Sequence, residues 1–438
     1  MASRSRAAEL LPLVPAAAIP LIFLHRRYQA HTSIGPVDVF GSDVAIAVTV
    51  AAALVAGLWW GFKPLRRPRT LWAVAGALLT LIVVSCFWTP ADHTQKHLIS
   101  AAKIIEYALL APSVVLLLRR RVDVDRFLAV FIAWSAAASG WGLLQFVGLV
   151  NEFAGKNPGQ REPSFLGVEE LAAVSGVTLA IGFAWIVFGR RDRFVVATLV
   201  SGAVGTVLAA SVFTFSGVVL AALAASVVGA RSHLLTRRSV LALWAIVIVV
   251  GAGVFALRTS DISPFVGFLG HAKPSATTSA DIQTGSQRVM LGYIGLRMWL
   301  DHPLLGIGFE RSVDQYGPYL GAARRRFPGQ SPSGFPSPAH EWGVQNLWIQ
   351  ALADLGVVGF ALLVATFAVG IVLALRAPAG AAVLGLVVAG WLLTTVGSWN
   401  GLGMIAGLPI DALTWMGLGL AAVAWTVEDT AKELASVQ

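Results

Sequence analysis

Long apolar segments recur along almost the whole chain, and they limit its fold more than any other feature. Segments such as 194–210 and 241–257 approach the roughly 20 residues that a helix needs to cross about 30 Å of hydrocarbon. Only 13% of the 438 residues are charged, compared with about 25% in an average soluble domain. Backbone groups find no water inside a bilayer, so segments of this kind must cross as helices. The sequence therefore predicts an all-α integral membrane protein.

Hydropathy predicts about twelve transmembrane helices separated by polar breaks. The predicted spans are 9–24, 42–62, 71–88, 99–118, 127–150, 166–188, 194–212, 215–230, 239–257, 350–376, 379–398 and 405–427. Spans 9 and 10 are separated by roughly 90 residues, whereas the other connections are short. We therefore expect three parts: helices 1–9 in residues 1–258, one large, partly helical loop in 259–349, and helices 10–12 with a short tail in 350–438.

The distribution of basic residues predicts the orientation. Lys and Arg cluster in the breaks at 63–69, 119–126, 190–193 and 231–238. Cytoplasmic loops of membrane proteins carry an excess of these residues, so the four breaks and both termini are assigned to the cytoplasm. The large loop is then on the outer side. Because the net charge of +9 is divided among short breaks, we predict no nucleic-acid partner. Arg26 and Arg27 fall on the outer side instead, where they are either tolerated exceptions or hold an anion.

Two tracts in and beside the large loop carry the polar residues that could support chemistry. The first runs SQRVMLGY (286–293) and then WLDHPLLGIGF (299–309), and the second is PAHEWGVQNLWIQALADLGVVGF (338–360). They resemble the signature region of the O-antigen ligase and O-antigen polymerase superfamily. Its members carry an arginine about a dozen residues before an H-P-L-L-G-x-G turn, and then an H-N-x9-G-x-x-G stretch. Asn346, Gly356 and Gly359 keep this second spacing.

The resemblance implies a membrane glycosyltransferase of cell-envelope polysaccharide or lipopolysaccharide biosynthesis. Such an enzyme moves a glycan from a polyprenyl (undecaprenyl) diphosphate carrier to an acceptor hydroxyl, on the outer face of the bacterial inner membrane, with a periplasmic loop, no cofactor and no metal. The implied partners are the lipid-linked donor, a glycolipid or glycan acceptor, and membrane lipids. A ligase would use the lipid A core as acceptor, and a polymerase would use the next repeat unit. The sequence leaves these two open, together with the sugars, the linkage and the oligomeric state.

The expected chemistry selects candidate residues. Guanidinium groups bind phosphate oxygens in pairs, so the candidates for holding the diphosphate are Arg288, Arg311, Arg297, Arg26 and Arg27. A general base must take the proton of the acceptor hydroxyl. We predict His340 as this base, with Glu341 beside it and Arg288 as the main catalytic cation. The candidates for positioning the acceptor or the loop are Asp301, His302, Gln345, Asn346 and Glu169.

Two positions depart from the family pattern. Gln345 stands where the family has histidine, and glutamine cannot take a proton at neutral pH. The family often has Ser-Arg near residues 212–217, whereas this chain has Phe215-Ser216-Gly217. These departures leave open whether the base and the diphosphate site have moved or been lost. A non-catalytic scaffold that binds a lipid-linked glycan therefore remains an alternative.

A transporter or flippase of lipid-linked glycans is the alternative from another class, because twelve spans are common among transporters. The single large outer loop argues against it, since transporters of this size usually show two related halves. Lys103 and Glu106 in the fourth span are expected to neutralise each other. His93 and His97 have a metal-like spacing but lack a third ligand, so we predict no metal site.

Overall fold

The computed structural model describes residues 9–88, 94–150, 158–232, 236–269, 284–328, 330, 332–339, 341–404 and 407–435. This part of the chain is helical apart from one β-hairpin and the connections. In chain order the elements are α1 (Leu11–Ile22), β1 (His31–Ile34), β2 (Val37–Phe40), α2 (Gly41–Trp60), α3 (Arg69–Ser85), α4 (Thr94–Leu117), α5 (Arg121–Phe146), α6 (Val168–Val187), α7 (Arg193–Ala209), α8 (Val212–Arg231), α9 (Arg237–Ala256), α10 (Thr259–Leu269), α11 (Thr284–Asp301), α12 (Gly317–Arg326), α13 (Leu347–Leu375), α14 (Ala379–Gly401) and α15 (Pro409–Ala435).

In the described residues, nine helices are long and apolar enough to cross a membrane. They are α2, α4, α5, α6, α8, α9, α13, α14 and the part of α15 up to Val427. Three further apolar helices, α1, α3 and α7, have 17 residues or fewer, which is short for a helix that crosses upright. Each of the twelve predicted segments coincides with one of these helices. The chain is therefore an all-α membrane protein, and the count of twelve spans stays a prediction.

A short antiparallel hairpin between α1 and α2 was not predicted. Strand β1 pairs with β2, with Ile34 opposite Val37, so that Gly35 and Pro36 form a two-residue turn. Gly35 has φ of +60°, and a glycine with positive φ at the first turn position suits such hairpins. The hydroxyl of Ser33 donates to the carboxylate of Asp38 at 2.6 Å. The hydropathy pattern indicated a polar break here and gave no sign of strands.

Helix α6 forms the centre of the bundle and is almost wholly buried. Small residues let its neighbours approach, as is typical of packed membrane helices. A Cβ on Gly202 of α7 would lie 2.7 Å from the backbone nitrogen of Leu179 on α6. Helices α8 and α14 meet in the same way, because a Cβ on Gly217 would lie 2.7 Å from the carbonyl oxygen of Leu393. The glycine found where the family often has arginine is thus required by helix packing.

In its described residues, the large connection between α9 and α13 contains three helices and a hydrophobic core of its own. Helix α11 accounts for part of the helical content that the sequence predicted in this loop. It buries Met290, Ile294 and Met298 along one face, at the spacing of successive helical turns, against Phe335 and Ala323. This packing holds α11 and α12 together.

The charged residues inside α4 are paired. The ammonium of Lys103 lies 3.3 Å from the carboxylate of Glu106, which confirms the predicted pair. A third partner, Asp43 on α2, lies 2.6 Å from the same ammonium. The paired charges join two helices and reduce the cost of placing ionisable groups at this depth.

The loops are divided between two ends of the helix bundle. We call the end that carries the described residues between 257 and 346 the loop end and the other the opposite end. At the loop end, Arg26 donates to the carbonyl of Gly407 at 2.8 Å and joins the first break to the last. At the opposite end, Arg119 donates to the carbonyl of Trp60 at 3.1 Å. The described residues among those predicted to act on substrate belong to segments at the loop end.

Candidate functional site

The two tracts singled out in the sequence pack directly against each other. Helix α13 is broken at Gly356, where φ is +64° and ψ is −167°, so that backbone groups on both sides lose their helical partners. The turn at 303–308 supplies new ones. Four hydrogen bonds join the segments, namely Ile307 N–H to Ala353 (3.0 Å), Gly308 N–H to Asp354 (2.8 Å), Val357 N–H to Pro303 (2.9 Å) and Val358 N–H to Leu304 (3.2 Å).

Two motif glycines make this contact possible. Gly306 has φ of +68°, and a Cβ there would lie 2.4 Å from the carbonyl carbon of Asp354. A Cβ on Gly356 would lie 2.3 Å from the carbonyl carbon of Leu304. The H-P-L-L-G-x-G turn and the G-x-x-G stretch therefore share one structural task, which is to let the turn dock into a broken helix.

A buried carboxylate fixes the next part of the loop to the same helix. Asp354 accepts hydrogen bonds from the backbone N–H groups of Glu310 at 3.1 Å and Ser312 at 3.0 Å. The side-chain amide of Gln350 donates to it at 3.0 Å. Since buried polar groups need such partners, Asp354 holds residues 310–312 close to the bundle.

Arg288 meets the helix bundle at Glu169. The residue lies in α11, its side chain is 15% exposed, and its Nη2 is 3.7 Å from Oε1 of Glu169 in the first turn of α6. Nη2 of Arg161 lies 3.4 Å from the same oxygen. The hydroxyl of Ser211, just before α8, donates to Oε2 at 2.7 Å. Three segments that are far apart in sequence thus converge on one carboxylate.

Burial gives this cluster a strong local field. Burial lowers the pKa of the Arg288 guanidinium. The negative charge of Glu169 raises this pKa, and the positive charge of Arg258 lowers it. An arginine stays protonated at physiological pH, so a cation is held here with little water around it. The guanidinium lies 5.4 Å from the ring of Phe213. In the described part of the structure, Nε of Arg288 is buried without a hydrogen-bond partner. The cluster is suited to attracting an anion.

Arg26 and Arg27 occupy a separate place at the loop end. Beyond its bond to Gly407, Arg26 lies 5.1 Å from the ring of Phe40. The backbone N–H of Arg27 donates to Nδ1 of His25 at 3.2 Å. Burial and the two positive charges lower the pKa of His25. The contact of Arg26 and Arg27 with diphosphate stays a prediction. The hydrogen bond from Arg26 to Gly407 fits a structural role for that arginine.

The other arginine candidates lie away from Glu169. Arg311 is only 1% exposed and donates to the carbonyl of Cys86 at 3.0 Å, which ties the loop to the end of α3. Arg297 is exposed on α11, about 13 Å further along the helix axis than Arg288. Asp301 and His302 are exposed at the end of the same helix. Burial raises the pKa of the Tyr319 phenol, and the negative charge of Asp301 raises it further. The predicted roles of these four residues stay predictions.

His340 lies outside the described residues, so its role as base remains a prediction. Its neighbour Glu341 is paired with Lys96 on α4 at 2.9 Å, and both side chains are about half exposed. On the next residue of α4, Nε2 of His97 lies 2.8 Å from the carboxylate of Asp314. The start of α4 therefore holds both the segment after 340 and the segment after Arg311.

Asn346 begins helix α13. Its side-chain oxygen accepts the backbone N–H of Ile349 at 3.0 Å, as a helix N-cap does, and its amide donates to the carbonyl of Asn400 at 3.1 Å. Gln345 is partly buried beside it. This asparagine fixes where the loop enters the bundle, which is compatible with the predicted positioning role.

Arg161 and Arg258 are site residues that sequence reasoning missed. Arg161 donates through Nε to the carbonyl of Ala209 at 2.8 Å, and Arg258 donates to the carbonyl of Ala210 at 2.9 Å. Both belong to breaks that the predicted topology places outside. The available signal was a basic residue on the predicted outer side, where such residues are rare. Sequence reasoning applied this signal only to Arg26 and Arg27.

The described residues contain no group of three His, Cys, Asp or Glu side chains arranged to hold a metal ion. His93, which was weighed with His97 as a possible pair of ligands, lies outside the described residues. The independence of the reaction from metal stays a prediction.

Stability is expected to fall as pH rises, in part because of Glu310. Burial raises the pKa of its carboxyl from 4.5 to about 7, and the nearby Asp354 adds to the increase. Between these values the folded chain holds a proton that the unfolded chain has released, so unfolding becomes easier with increasing pH. At 1.36 kcal/mol per pKa unit the effect is about 3 kcal/mol.

Thermal unfolding in detergent at pH 5 and pH 8 should show a smaller loss of stability between the two pH values for Glu310→Gln than for the wild type. An unchanged pH dependence in this variant, with Asp125→Asn as the exposed control, would contradict the assignment.

The comparison with known families agrees with this geometry. Residues 216–364 match the family model described as O-antigen ligase. The matched region runs from α8 into α13 and includes Arg288 and both interlocked tracts. No curated protein matches the chain at a significant level. The matched domain confirms the resemblance seen in the sequence: residues 216–364 of this chain are similar to the O-antigen ligase domain.

Proposed function

We propose that the protein is a glycosyltransferase that moves a glycan from a polyprenyl diphosphate carrier to an acceptor hydroxyl. The observation that carries this proposal is the position of Arg288. This arginine of the matched domain reaches out of the loop to the end of a buried helix, where Arg161 and Glu169 meet it. Glycosyl transfer from a diphosphate needs cations that hold the leaving group, and arginine supplies them without a metal.

The proposed reaction is a direct displacement. The acceptor oxygen attacks the anomeric carbon and forms the new glycosidic bond. The bond from that carbon to the phosphate oxygen breaks, and the electron pair leaves with the polyprenyl diphosphate. Arg288 stabilises the charge that develops on this leaving group. His340 takes the proton of the acceptor hydroxyl.

The position of the cluster suits a lipid-linked donor. Glu169 lies in the first turn of α6, and Ser211 lies directly before α8. Both are at the ends of helices able to cross a membrane, so a lipid tail could remain in the bilayer while its diphosphate reached the cluster. By the distribution of basic residues, we propose that this end faces the outer side of a bacterial inner membrane, with both termini in the cytoplasm.

The test is a transfer assay with purified protein in lipid nanodiscs. It supplies a polyprenyl-diphosphate-linked glycan and a chelator, without nucleotide sugar. One set of samples contains a lipid A core acceptor, and the other contains donor alone. We expect polyprenyl diphosphate to be released in equal amount with a larger glycoconjugate. Growth of the donor glycan alone would identify a polymerase, and transfer to the core would identify a ligase. Binding of donor without transfer to any acceptor would contradict the proposal and favour a flippase or scaffold.

Replacing His340 by glutamine should lower kcat roughly 100-fold or more, because the amide cannot accept a proton. The pH profile gives a second measurement. We expect the fall in kcat on the acid side of the wild-type profile to disappear in His340→Gln. The matched control is His31→Gln, an exposed histidine of the hairpin at the loop end. Equal kcat values and pH profiles in all three proteins would remove His340 from the mechanism.

A further inference from the structure

Two arginines share one carboxylate oxygen at the start of α6. Nη2 of Arg161 and Nη2 of Arg288 lie 3.4 and 3.7 Å from Oε1 of Glu169, while Ser211 holds Oε2 at 2.7 Å. Charge-assisted hydrogen bonds are usually about 2.7–2.9 Å long. Both contacts of Oε1 are therefore loose. All three charged side chains are less than 20% exposed. One carboxylate thus faces two cations that are largely removed from water.

We propose that Arg161 and Arg288 form a two-arginine site for a diphosphate group, and that Glu169 is an internal anion which the diphosphate displaces. The inference rests on the proposed function for its donor class, and it adds Arg161 and Glu169 to the site. A diphosphate carries several oxygens along a short chain. It can engage both guanidinium groups at once, in the paired geometry that arginine favours.

The two cations belong to different parts of the molecule. Arg161 precedes the central helix and is oriented by its bond from Nε to the carbonyl of Ala209 at 2.8 Å. Arg288 belongs to the loop helix α11, and its Nε is buried without a hydrogen-bond partner in the described residues. An anion that contacts both arginines would clamp α11 onto the end of the bundle. Binding of the ligand and docking of the loop would then be one event.

The arrangement of Glu169 predicts opposite effects on stability and affinity. Before an anion binds, the carboxylate of Glu169 neutralises part of the charge of two buried cations, so its removal should destabilise the protein. The same carboxylate competes with an incoming anion, so its removal should strengthen diphosphate binding. A purely structural ion pair predicts that stability and affinity fall together.

The experiment measures binding of glycan-free undecaprenyl diphosphate to the full-length protein in phosphatidylcholine nanodiscs. We expect Arg161→Ala to weaken binding roughly 10- to 100-fold, which corresponds to about 1.4–2.8 kcal/mol. Glu169→Gln should tighten binding several-fold and lower the unfolding temperature. Arg161→Lys keeps the charge but not the planar fork, so it should fall between the wild type and Arg161→Ala, and it serves if the alanine variant does not fold. Arg190→Ala is the matched control, since it removes an arginine paired with Asp192 at the opposite end, and should bind like the wild type.

Three results would overturn the inference. The first is unchanged binding in both Arg161 variants. The second is weaker binding in Glu169→Gln, which would make the carboxylate part of the scaffold. The third is competition by phosphatidylglycerol, supplied in nanodiscs, that is as strong as competition by undecaprenyl diphosphate itself. This result would identify a phospholipid headgroup as the ligand. Failure of the proposed function gives a different pattern: bare diphosphate binds with the expected variant effects, but the wild type transfers no glycan.

Discussion

Replacement of Gly356 by alanine is expected to abolish most of the correctly folded protein. At this break in α13, φ is +64° and ψ is −167°, a backbone conformation that is essentially restricted to glycine. The new Cβ would also lie 2.3 Å from the carbonyl carbon and oxygen of Leu304. The backbone term costs about 1–3 kcal/mol, and forcing an atom into a packed contact costs about the same again. A total of about 2–6 kcal/mol is a large part of a typical folding free energy.

Two other glycines separate the causes. Gly189 has φ of +79° and no atom within 4 Å of the place that a Cβ would take, so Gly189→Ala carries only the backbone cost. Gly76 lies inside helix α3 with nothing near, so Gly76→Ala should be neutral or slightly stabilising. The measurement is the monodisperse fraction after detergent extraction, with the unfolding temperature of what remains. If Gly356→Ala behaved like Gly189→Ala, the close approach of the turn at 303–308 to α13 would be refuted.

The helices were predictable because hydrocarbon thickness sets their length and composition. The break in α13 was not, since apolar residues continue on both sides of Gly356 and hydropathy does not register the φ of one residue. The hairpin at 31–40 was missed for a related reason. Its first strand is exposed and its second is mostly half-buried, and each has only four residues, so they leave no hydrophobic alternation to detect.

The candidate site was predictable only where a motif marked it. Arg288 was selected by its spacing from the H-P-L-L-G-x-G turn, and the structure places it in a charged cluster. Its partner Arg161 lies more than 100 residues earlier, and no periodicity connects the two. Their meeting at Glu169 depends on how the loop packs on the bundle. Arg311 is the opposite case. Its position in the sequence suggested a cation available to a ligand, whereas its side chain is buried in the structure. This burial depends on the same packing of the loop on the bundle.

Replacing Arg288 by alanine should lower kcat for glycan transfer about 100- to 1,000-fold, the effect of removing one preorganised donor from a developing negative charge. Lysine should restore little of this loss. Its ammonium is a point charge that cannot pair with two phosphate oxygens as a guanidinium does, and it is more costly to strip of water in a buried place. Because the charge is retained in Arg288→Lys, a rate close to that of Arg288→Ala would show that geometry, rather than charge alone, is required.

The matched control is Arg325→Ala, an exposed arginine of α12 on the same loop. Initial rates at several donor concentrations separate the two steps in which Arg288 could act. A fall in kcat together with a rise in KM is expected, because the guanidinium binds the diphosphate of the donor and also stabilises the charge that develops on it as the bond breaks. A rise in KM alone would make Arg288 a residue for donor binding. Wild-type kcat and KM in Arg288→Ala, at normal protein amount, would exclude this arginine from the reaction, and the charged cluster at Glu169 would then need another explanation.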